Sequence, residues 1–414
     1  METNNRTKET QIIIVGGGII GLTLALALAK ENINLAIIES KEPVLEWLPI
    51  LQDPRVSAIN LVSLRIFEKL GIWNQLKEGS YGPLRRLTVW DHLGGGGISF
   101  DSAEAGAPVC GYIVENRALV RELWNNLKLL ENVACFYLHQ ASELWRTHNK
   151  VQLILADGQK IQGDLLIGAD GTKSWVRDQI GMAINYHDYH QDALITVVKS
   201  EYPHQDTAWQ NFLTTGPIAY LPLADKHHGA IVWSNERNEI NRLTSIEKTS
   251  LNFEIANALD QKLGGIEVIT EVSTFPLVMR HAKEYISDRV ALIGDAAHTI
   301  HPLAGQGANL GLLDAACLYD IICKSIASRQ DVGNSQNLKQ YQRWRKTENL
   351  IMENAMTLFN QMFSNSSSLM ITLRSQGLNL IDQCGFIKNW IMDYAMGKHY
   401  FGKFKLTSNF KDES

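Results

Sequence analysis

Two glycine-rich sequences carry the residue types best suited to holding a nucleotide. The first is GGGIIG at residues 16–21, and Glu39 follows at the end of the next apolar run. In this pattern the first glycine permits a tight turn, the third lets main chain approach a pyrophosphate, and the last lets a helix pack on a strand. N–H groups at the helix start favour a phosphate, and the acidic side chain accepts hydrogen bonds from a ribose. The predicted dinucleotide-binding residues are therefore Gly16, Gly18, Gly21 and Glu39.

The second glycine-rich sequence, GDAAHTIHPLAGQGANLG, occupies residues 294–311. Its small residues would let main chain approach a flat ring, and a helix starting near Ala308 would direct its N-terminus toward an electron-rich carbonyl. Asp295 is suited to binding a polyol hydroxyl. By itself this sequence fits a tight loop with an aspartate cap better, so alone it identifies no ligand.

A third polar turn, GADGTKS, lies at residues 168–174 after an apolar run. Gly171 allows a sharp exit from a strand, and Asp170 could bind a cofactor or a neighbouring backbone. Arg177 offers a fork for a phosphate or a carboxylate. Taken alone, this is an ordinary Asp-Gly turn.

Strand and helix patterns predict how these turns are positioned. The apolar run Ile12–Val15 predicts a strand, Ile19–Lys30 a helix, and residues 34–38 a second buried strand. Residues 55–70 predict a helix with one apolar face, and Gly71 follows where a helix cap is expected. A strand, a turn and a helix recur around the second glycine-rich sequence. These patterns predict an α/β fold with a Rossmann-like domain.

Between the two ends of the chain, strand-like patterns dominate. Turn residues at 202–203 and 216–217 separate them, and a glycine-rich hairpin is predicted at 94–97. From about residue 338 to residue 402 the pattern is helical. Four residues on strand-like runs could wall a substrate pocket, although alternation on a sheet makes core packing their commoner role: Trp209, Tyr220, Pro222 and Trp233.

Bulk composition argues against several classes of protein. The chain has 414 residues, a net charge of −5 and a pI near 6.2, so no nucleic-acid surface is indicated. Its five cysteines form no CxxC pair, and His298 and His301 lack the further ligands that a zinc site needs. Residues 12–29 have the hydropathy of an export signal or weak membrane span, yet three glycines interrupt them. A cytoplasmic protein is therefore expected.

The order and spacing of the three turns resemble the flavoprotein aromatic hydroxylases typified by p-hydroxybenzoate hydroxylase. The resemblance implies FAD in a glutathione-reductase-type domain, with an inserted β-rich substrate domain. It assigns the ADP half of FAD to the first turn, Asp170 to a motif that serves FAD and NAD(P)H, and the second turn to the ribityl chain and flavin ring. The implied divisions are 1–85, 110–182 and 275–330 for the FAD-binding domain, 86–109 and 183–274 for the substrate domain, and 331–414 for a helical C-terminal region.

Longer stretches are similar to the ubiquinone-biosynthesis hydroxylase branch of this family. They are DPRVSA at 53–58, the unbroken sequence at 294–315, YQRWR at 341–345 and GLNLID at 377–382. Arg55 would then lie beside the flavin, and Arg117 would touch FAD. The residues implied near the ribityl chain and ring are Asp295, Pro302, Gly305, Gly307, Ala308 and Asn309. Ala308 departs from the pattern, which has a bulkier apolar residue there, but binding through backbone N–H should be unaffected.

The resemblance further implies a monooxygenase that hydroxylates a polyprenylated phenol or quinone precursor. Reduced FAD would react with dioxygen to give a C4a-hydroperoxide, so no catalytic side chain is expected. NAD(P)H is the implied reductant, although no second nucleotide turn is visible. Two alternatives stay open: a hydroxylase of another aromatic metabolite, and a non-catalytic flavoprotein subunit of a biosynthetic complex.

The sequence also gives expectations about the binding partners and the cellular location of the protein. Aromatic residues and lysines alternate between residues 386 and 405. This pattern suits an inner-membrane surface or a partner of the ubiquinone-biosynthesis complex, and it also suits a helix packed on the core. A homo-oligomer is compatible with the sequence.

Overall fold

Alternating strands and helices near the two ends of the chain enclose a long series of strands. The computed structural model describes residues 7–46, 54–92, 94–299, 307–363, 376–377, 380, 382 and 384–408. The helices are α1 Ile19–Lys30, α2 Leu61–Leu70, α3 Asn116–Leu127, α4 Trp175–Gln179, α5 Arg237–Ser245, α6 Lys248–Ala258, α7 Gly307–Ala327, α8 Ser335–Phe363 and α9 Gly385–Ala395. The strands are β1 Lys8–Glu9, β2 Ile12–Val15, β3 Leu35–Glu39, β4 Val56–Asn60, β5 Tyr81–Leu84, β6 Arg86–Asp91, β7 Gly97–Asp101, β8 Gly111–Glu115, β9 Val133–Tyr137, β10 Ala141–Arg146, β11 Val151–Leu155, β12 Lys160–Gly163, β13 Leu165–Gly168, β14 Ile184–Ser200, β15 Thr207–Leu213, β16 Gly216–Pro222, β17 His228–Glu236, β18 Ile266–Val268, β19 Ser273–Ala282, β20 Ile286–Ser287, β21 Val290–Leu292 and β22 His298–Thr299.

A six-stranded sheet carries all three polar turns at strand ends. Its order is β20-β21-β13-β2-β3-β9, and every neighbouring pair is parallel except β20 with β21. Strands buried on both faces need continuous apolar sequence, and the strands Ile12–Val15 and Leu165–Gly168 are buried along their whole length. Helices α1, α3 and α7 pack together beside this sheet. The predicted α/β fold with a Rossmann-like domain is confirmed.

A nine-stranded sheet forms the second large unit. Its order is β22-β19-β14-β17-β16-β15-β6-β7, with β18 paired to β14, and α5 and α6 cover one of its faces. A four-stranded sheet, β1-β12-β11-β10, and a three-stranded sheet, β4-β8-β5, complete the strand arrangement. Strand β19, Ser273–Ala282, belongs to the nine-stranded sheet, whereas residues from 275 onward were predicted in the FAD-binding domain. We propose that the boundary between the two units falls after residue 282.

The predicted helix over residues 55–70 is wrong in its first part. Val56–Asn60 forms β4, which pairs antiparallel with β8, and α2 begins only after it. The Asn60 side chain accepts a hydrogen bond from the Ser63 backbone N–H at 3.0 Å and so caps the helix at that point. At the other end Gly71 has a φ of +77°, the left-handed conformation expected of the predicted cap.

The C-terminal region, predicted as helical over residues 338–402, contains α8 and α9 and then short 3-10 turns at Lys398–Tyr400 and Lys405–Thr407. Residues 364–375 lie outside the described part of this region. Among the described residues, no helix is long and apolar enough to cross a membrane. The apolar residues 12–29 divide between β2 and α1, as their glycines predicted.

Candidate functional site

The first glycine-rich turn is shaped by close backbone contacts. Gly16 has a φ of +115°, and a Cβ added to it would lie 2.2 Å from the Ala169 carbonyl oxygen. A Cβ on Gly21 would lie 2.1 Å from the Gly16 carbonyl oxygen, so α1 packs on the turn at glycine distance. By contrast, a Cβ on Gly18 would meet no heavy atom within 4 Å. The space before the α1 N-terminus is therefore open, as a bound pyrophosphate requires.

Glu39 lies beside this turn at the end of β3. Its Oε2 accepts a hydrogen bond from the Gly17 N–H at 2.7 Å, and its Oε1 accepts one from the Lys41 N–H at 2.9 Å. A Cβ on Gly17 would collide with Glu39 and with Trp124 of α3, which explains a third glycine in the motif. The structure thus brings the acidic residue to the position from which a ribose hydroxyl is bound in such folds.

Asp170, in the third turn, carries a buried oxygen that lacks a protein partner. Its Oδ2 accepts a hydrogen bond from the Val176 N–H at 3.0 Å, whereas its Oδ1 is buried and makes none. Burial is the main cause that raises the pKa of this carboxyl. Because Ala169 and the Asp170 backbone lie against Gly16, the unsatisfied oxygen belongs to a residue that adjoins the first turn. An unpaired buried acceptor of this kind fits a ligand hydroxyl.

Arg177, predicted as a fork for an anion, has a different role. It is buried, with Nη1 donating to the Ala296 carbonyl at 3.1 Å and Nη2 donating to the Thr172 carbonyl at 3.0 Å. The guanidinium therefore ties the third turn to the second glycine-rich sequence. This contact corrects the prediction that Arg177 presents its donors to a phosphate or carboxylate.

The second glycine-rich sequence approaches the first one through small residues. After β21, a 3-10 turn at Gly294–Ala296 leads to β22. A Cβ on Gly294 would lie 3.3 Å from the Ile20 side chain, and one on Gly311 would lie 2.9 Å from it. Both sequences thus meet at the start of α1. Asp295 remains accessible to solvent, yet the surrounding protein raises the pKa of its carboxyl through desolvation.

The start of α7 is fixed to β4 by Asn309. Its side-chain oxygen accepts a hydrogen bond from the Asn60 N–H at 3.1 Å, and its Nδ2 donates to the Ala58 carbonyl at 2.8 Å. The predicted residues Gly307 and Ala308 lie in the first turn of α7, where backbone N–H groups have no partner within the helix. The predicted residues Pro302 and Gly305 lie outside the described part of the chain.

The two predicted arginines flank one strand pair, Arg55 directly before β4 and Arg117 after β8 in α3. Arg55 is exposed at the start of β4, and its carbonyl accepts a hydrogen bond from the Asn116 N–H at 3.1 Å. Arg117, in the first turn of α3, donates from Nε and Nη2 to one oxygen of Glu115, at 2.9 and 2.8 Å. Because Val56 of β4 pairs with Glu115 of β8, Arg55 and Arg117 lie near the same end of this strand pair.

The predicted substrate-pocket residues are in the core. Trp209, Tyr220 and Trp233 pack with apolar residues of α5 and α6, such as Ile240 and Ile255. Pro222 is buried and two residues beyond Tyr220, so it faces the same side of β16. They therefore have the core-packing role that alternation on a sheet favours. On this sheet the large aromatic residues fill the face that α5 and α6 cover.

Sequence reasoning missed a buried charged residue behind the second turn. Asp314 of α7 is fully buried and accepts hydrogen bonds from His298 Nε2 at 2.6 Å and from Arg345 Nε at 2.8 Å. Burial raises the pKa of Asp314, but His298 and Arg345 outweigh it and lower this pKa to about 2. Both Asp314 and Arg345 lie in the stretches similar to the hydroxylase branch, which was the available signal.

No metal site is evident within the ranges that the structure describes. There, no group of three or more His, Cys, Asp or Glu side chains could hold a metal ion, and His298 is engaged by Asp314. The five cysteines are free thiols.

The parallel sheet, the open start of α1 and the second turn beside it define a flavoprotein-type dinucleotide-binding fold. A family model described as "FAD binding domain" matches residues 9–349. The chain belongs to this family and is an FAD-dependent monooxygenase. It is 36% identical over 390 residues to the 3-demethoxyubiquinol 3-hydroxylase of Escherichia coli (strain K12), which covers 94% of this chain and 99% of that protein.

Other relatives and solved structures agree with this membership. The Homo sapiens mitochondrial ubiquinone biosynthesis monooxygenase COQ6 is 31% identical over 437 residues, covering 93% of this chain and 92% of that protein. The p-nitrophenol 4-monooxygenase PnpA of Pseudomonas putida DLL-E4 superposes with a TM-score of 0.78 at 18% identity, over 94% of this chain and 98% of that one. The probable FAD-dependent monooxygenase pqsL of Pseudomonas aeruginosa gives 0.72 at 19% identity, over 90% and 99%. The two structures support the fold alone.

Proposed function

We propose that the chain hydroxylates the aromatic ring of a polyprenylated phenol or quinone precursor in ubiquinone biosynthesis. The observation that carries this proposal is the 36% identity to a demethoxyubiquinol hydroxylase along almost the whole of both chains. Relatives named as ubiquinone biosynthesis monooxygenases, at 31% identity, support the same substrate class. The geometry of the turns fits the cofactor that such a reaction needs.

The proposed FAD site is assembled from the converging turns. The open space at Gly18 suits the pyrophosphate, Glu39 the ribose, and the unsatisfied oxygen of Asp170 a cofactor hydroxyl. Asp295 is accessible beside the start of α7, which suits it to the ribityl chain. When bound and reduced, FAD supplies the activation of dioxygen. The residues of this chain orient the cofactor and substrate and keep water away from them.

We propose NAD(P)H as the reductant, on the family resemblance. The test is the rate of flavin bleaching under anaerobic conditions with NADH, with NADPH, and with dithionite as a control. Bleaching by dithionite alone would contradict a nicotinamide donor and point to a separate reductase.

The face of the nine-stranded sheet that α5 and α6 do not cover is the open face. It is better suited to contacting a substrate than Trp209, Tyr220, Pro222 and Trp233 are. Along one row, Ala219 pairs with Val232, and Val232 pairs with Ile195 of β14. All three are partly exposed although they are apolar and central in the sheet. Apolar residues left accessible at such a position are typical of a ligand cavity.

A neighbouring row shows which way this face points. Val197 and Ala230 lie on the same face and pack against Val56 of β4 and Ile113 of β8. The face therefore turns toward the unit that carries the proposed FAD site. We propose that Ala219, Val232 and Ile195 contact the ring or prenyl chain of the substrate, since an apolar surface favours both.

A pair of substitutions tests this wall. Ala219→Leu adds volume to the open face and is expected to raise KM for a prenylated phenol, with flavin content unchanged. Trp209→Phe, on the helix-covered face, is the matched control and should lower stability without changing KM. An effect on KM from Trp209→Phe alone would contradict the assignment of the two faces.

The reaction itself is tested by the lipids of a deletion strain and by purified protein. Loss of the gene should cause one demethoxy- or deoxyquinone precursor to accumulate. The flavin-loaded enzyme should convert that precursor to a product heavier by one oxygen atom. Oxidation of a different aromatic compound, or flavin binding with no hydroxylation of any quinone precursor, would contradict the proposal and favour the two alternatives named above.

We further propose that the protein is cytoplasmic and lies peripherally on the inner membrane through α9. This helix exposes Phe386, Ile387 and Trp390, with 85%, 42% and 64% of their surface accessible. On its inner side Lys388 is buried and pairs with Glu104 at 2.8 Å. A helix with apolar residues outward and its charge inward is suited to an interface.

Sedimentation with phospholipid vesicles tests this contact. The wild type should sediment with the vesicles, and the double variant Phe386→Ser/Trp390→Ser should not, while both retain FAD. Equal sedimentation of the two proteins would contradict the membrane contact. Loss of a co-purifying protein from the variant, without a change in vesicle binding, would indicate a subunit of the biosynthetic complex instead.

A further inference from the structure

A single buried carboxylate holds both ends of the turn that contains Asp295. Asp314 Oδ2 accepts hydrogen bonds from the Gly294 N–H at 3.0 Å and from His298 Nε2 at 2.6 Å. Gly294 directly precedes Asp295, and His298 follows it by three residues. The conformation of this turn, residues 294–299, is therefore set from α7, a helix that begins after the turn has ended.

The other oxygen of the same carboxylate connects to α8. Asp314 Oδ1 accepts a hydrogen bond from Arg345 Nε at 2.8 Å, and Arg345 also donates to Asn349 Oδ1 at 2.9 Å. Asp314 and Arg345 are both completely buried. Such a pair stabilises the fold little more than apolar residues would, because desolvation offsets the attraction. The main effect of the Asp314–Arg345 pair is the specific geometry that it imposes on the groups hydrogen-bonded to it.

The chain of contacts continues to the C-terminal segment, residues 398–408. Glu348 pairs with Arg345 through Nη1. It also accepts hydrogen bonds from the Tyr400 hydroxyl at 2.6 Å and from Lys403 Nζ at 2.6 Å. A continuous path of charged hydrogen bonds therefore joins the C-terminal segment, through Glu348, Arg345 and Asp314, to the turn beside Asp295. Charge-assisted bonds of this kind are short and directional.

We propose that Asp314 is a positioning residue for the flavin, and that Arg345 and Glu348 allow the C-terminal segment to influence the flavin environment through it. The inference rests on the proposed FAD site, because it requires the turn at residues 294–299 to contact the flavin. Asp314 itself is hydrogen-bonded only within the protein and would act through the turn. The reduced affinity and altered spectrum of the bound flavin are therefore the expected signs of its loss.

The main experiment removes the charge pair as a unit. Asp314→Asn alone removes one of the two carboxylates that pair with the buried Arg345, which endangers folding. The double variant Asp314→Asn/Arg345→Met removes both charges and should fold. We expect its dissociation constant for FAD to rise by about tenfold or more, equivalent to about 1.4 kcal/mol. The visible circular dichroism of the residual bound flavin should change as well.

Tyr319→Phe is the matched control on the same helix. The Tyr319 hydroxyl donates to Glu31 at 2.6 Å, and it lies in a different part of α7 from the contacts of Asp314. Its removal also deletes a polar contact of α7, so it should lower stability but leave FAD affinity and the flavin spectrum unchanged. A similar loss of FAD from Tyr319→Phe would show that any weakening of α7 has this effect and would overturn the positioning role.

The milder variants Glu348→Gln and Tyr400→Phe test the distal part of the path. Both should change the circular dichroism of bound flavin in the same direction as the double variant, by a smaller amount. If the double variant does not fold, these two measurements decide the matter. An unchanged flavin signal in both would overturn the proposal.

The inference and the proposed FAD site fail in different ways. Gly18→Leu blocks the site directly and should abolish FAD retention. Loss of FAD from Gly18→Leu, with wild-type affinity and spectrum in the double variant, would overturn the role of Asp314 and leave the site intact. Unchanged FAD content in both would overturn the site itself.

Discussion

The two glycine-rich turns meet at Ile20 but are held in place by different means. The first is fixed by contact between neighbouring backbone atoms, with added Cβ atoms at Gly16 and Gly21 falling 2.2 and 2.1 Å from carbonyl oxygens. The second is fixed by the buried carboxylate of Asp314, whose partner Arg345 is 31 residues further along the chain. The first turn therefore depends on close backbone packing, within the turn and against Ala169, whereas the second depends on the packing of α7 and α8.

This difference predicts distinct consequences of mutation. A substitution at Gly16 or Gly21 in the first turn creates steric overlap and should act on the fold. A substitution around the second turn should act mainly on cofactor affinity or on electrostatics. Four predictions, from the largest expected effect to the smallest, separate these two kinds of control.

The largest effect is expected from Gly21→Val. The added side chain would overlap the Gly16 carbonyl and push α1 away from β2, which should lower the free energy of unfolding by about 3 kcal/mol or more. Urea denaturation measures this decrease in the free energy of unfolding. Gly385→Ala is the control, because a Cβ there meets nothing within 4 Å. Equal stability of the two variants would show that close packing does not fix the first turn.

Gly18→Leu should separate ligand binding from folding within the same turn. A Cβ at Gly18 meets no protein atom within 4 Å, so stability should change little, by about 1 kcal/mol or less. The side chain would instead occupy the space assigned to the pyrophosphate. Purified protein should contain no flavin by absorbance while its circular dichroism in the far ultraviolet is unchanged. Normal flavin content would contradict the assigned position of FAD.

Asp295→Ala should have a smaller effect at the second turn. It removes one accessible carboxylate proposed to bind the ribityl chain, so FAD should bind about tenfold more weakly, a change of about 1.4 kcal/mol. Equilibrium dialysis of FAD with the folded variant gives this value. Asp295→Asn, which retains hydrogen-bonding capacity, should recover part of the affinity. Unchanged affinity in Asp295→Ala would exclude contact with the cofactor.

Acid should weaken the second turn through Asp314. Its pKa is lowered from 3.8 to about 2 in the folded protein, so its stabilising contribution is present above about pH 4 and is lost as the pH falls toward 2. Comparing the pH dependence of wild type and the Asp314→Asn/Arg345→Met variant isolates this contribution. Parallel curves would contradict the lowered pKa.

The parts of the structure that follow from local rules were predictable from sequence. The strand at Ile12–Val15 and the helix at Ile19–Lys30 have the predicted bounds, because apolar runs and glycines act over a few residues. The helix expected over residues 55–70 was only partly correct, since pairing with β8 draws Val56–Asn60 into a strand. Helical spacing cannot reveal a distant strand partner.

Long-range contacts account for what the sequence did not reveal at the site. The side chain of Asn309 donates a hydrogen bond to Ala58 of β4, about 250 residues earlier in the chain. Which face of the nine-stranded sheet is covered depends on where α5 and α6 pack, and Trp209 and Trp233 lie on the covered face. Gly16 and Gly21 could be identified from the local sequence motif, because close backbone contacts at these two positions require glycine.

The position of β21 and α7 in the chain also constrains biosynthesis of the enzyme. Strand β21, Val290–Leu292, pairs with β13, and α7, Gly307–Ala327, packs on α1. A ribosome-bound chain that has released only the first strand, turn and helix lacks both. Because domains acquire their structure as their segments emerge, the cofactor pocket cannot close until α7 has been synthesised. Flavin loading is therefore expected to be a late event in maturation, and chains truncated before α7 should remain colourless.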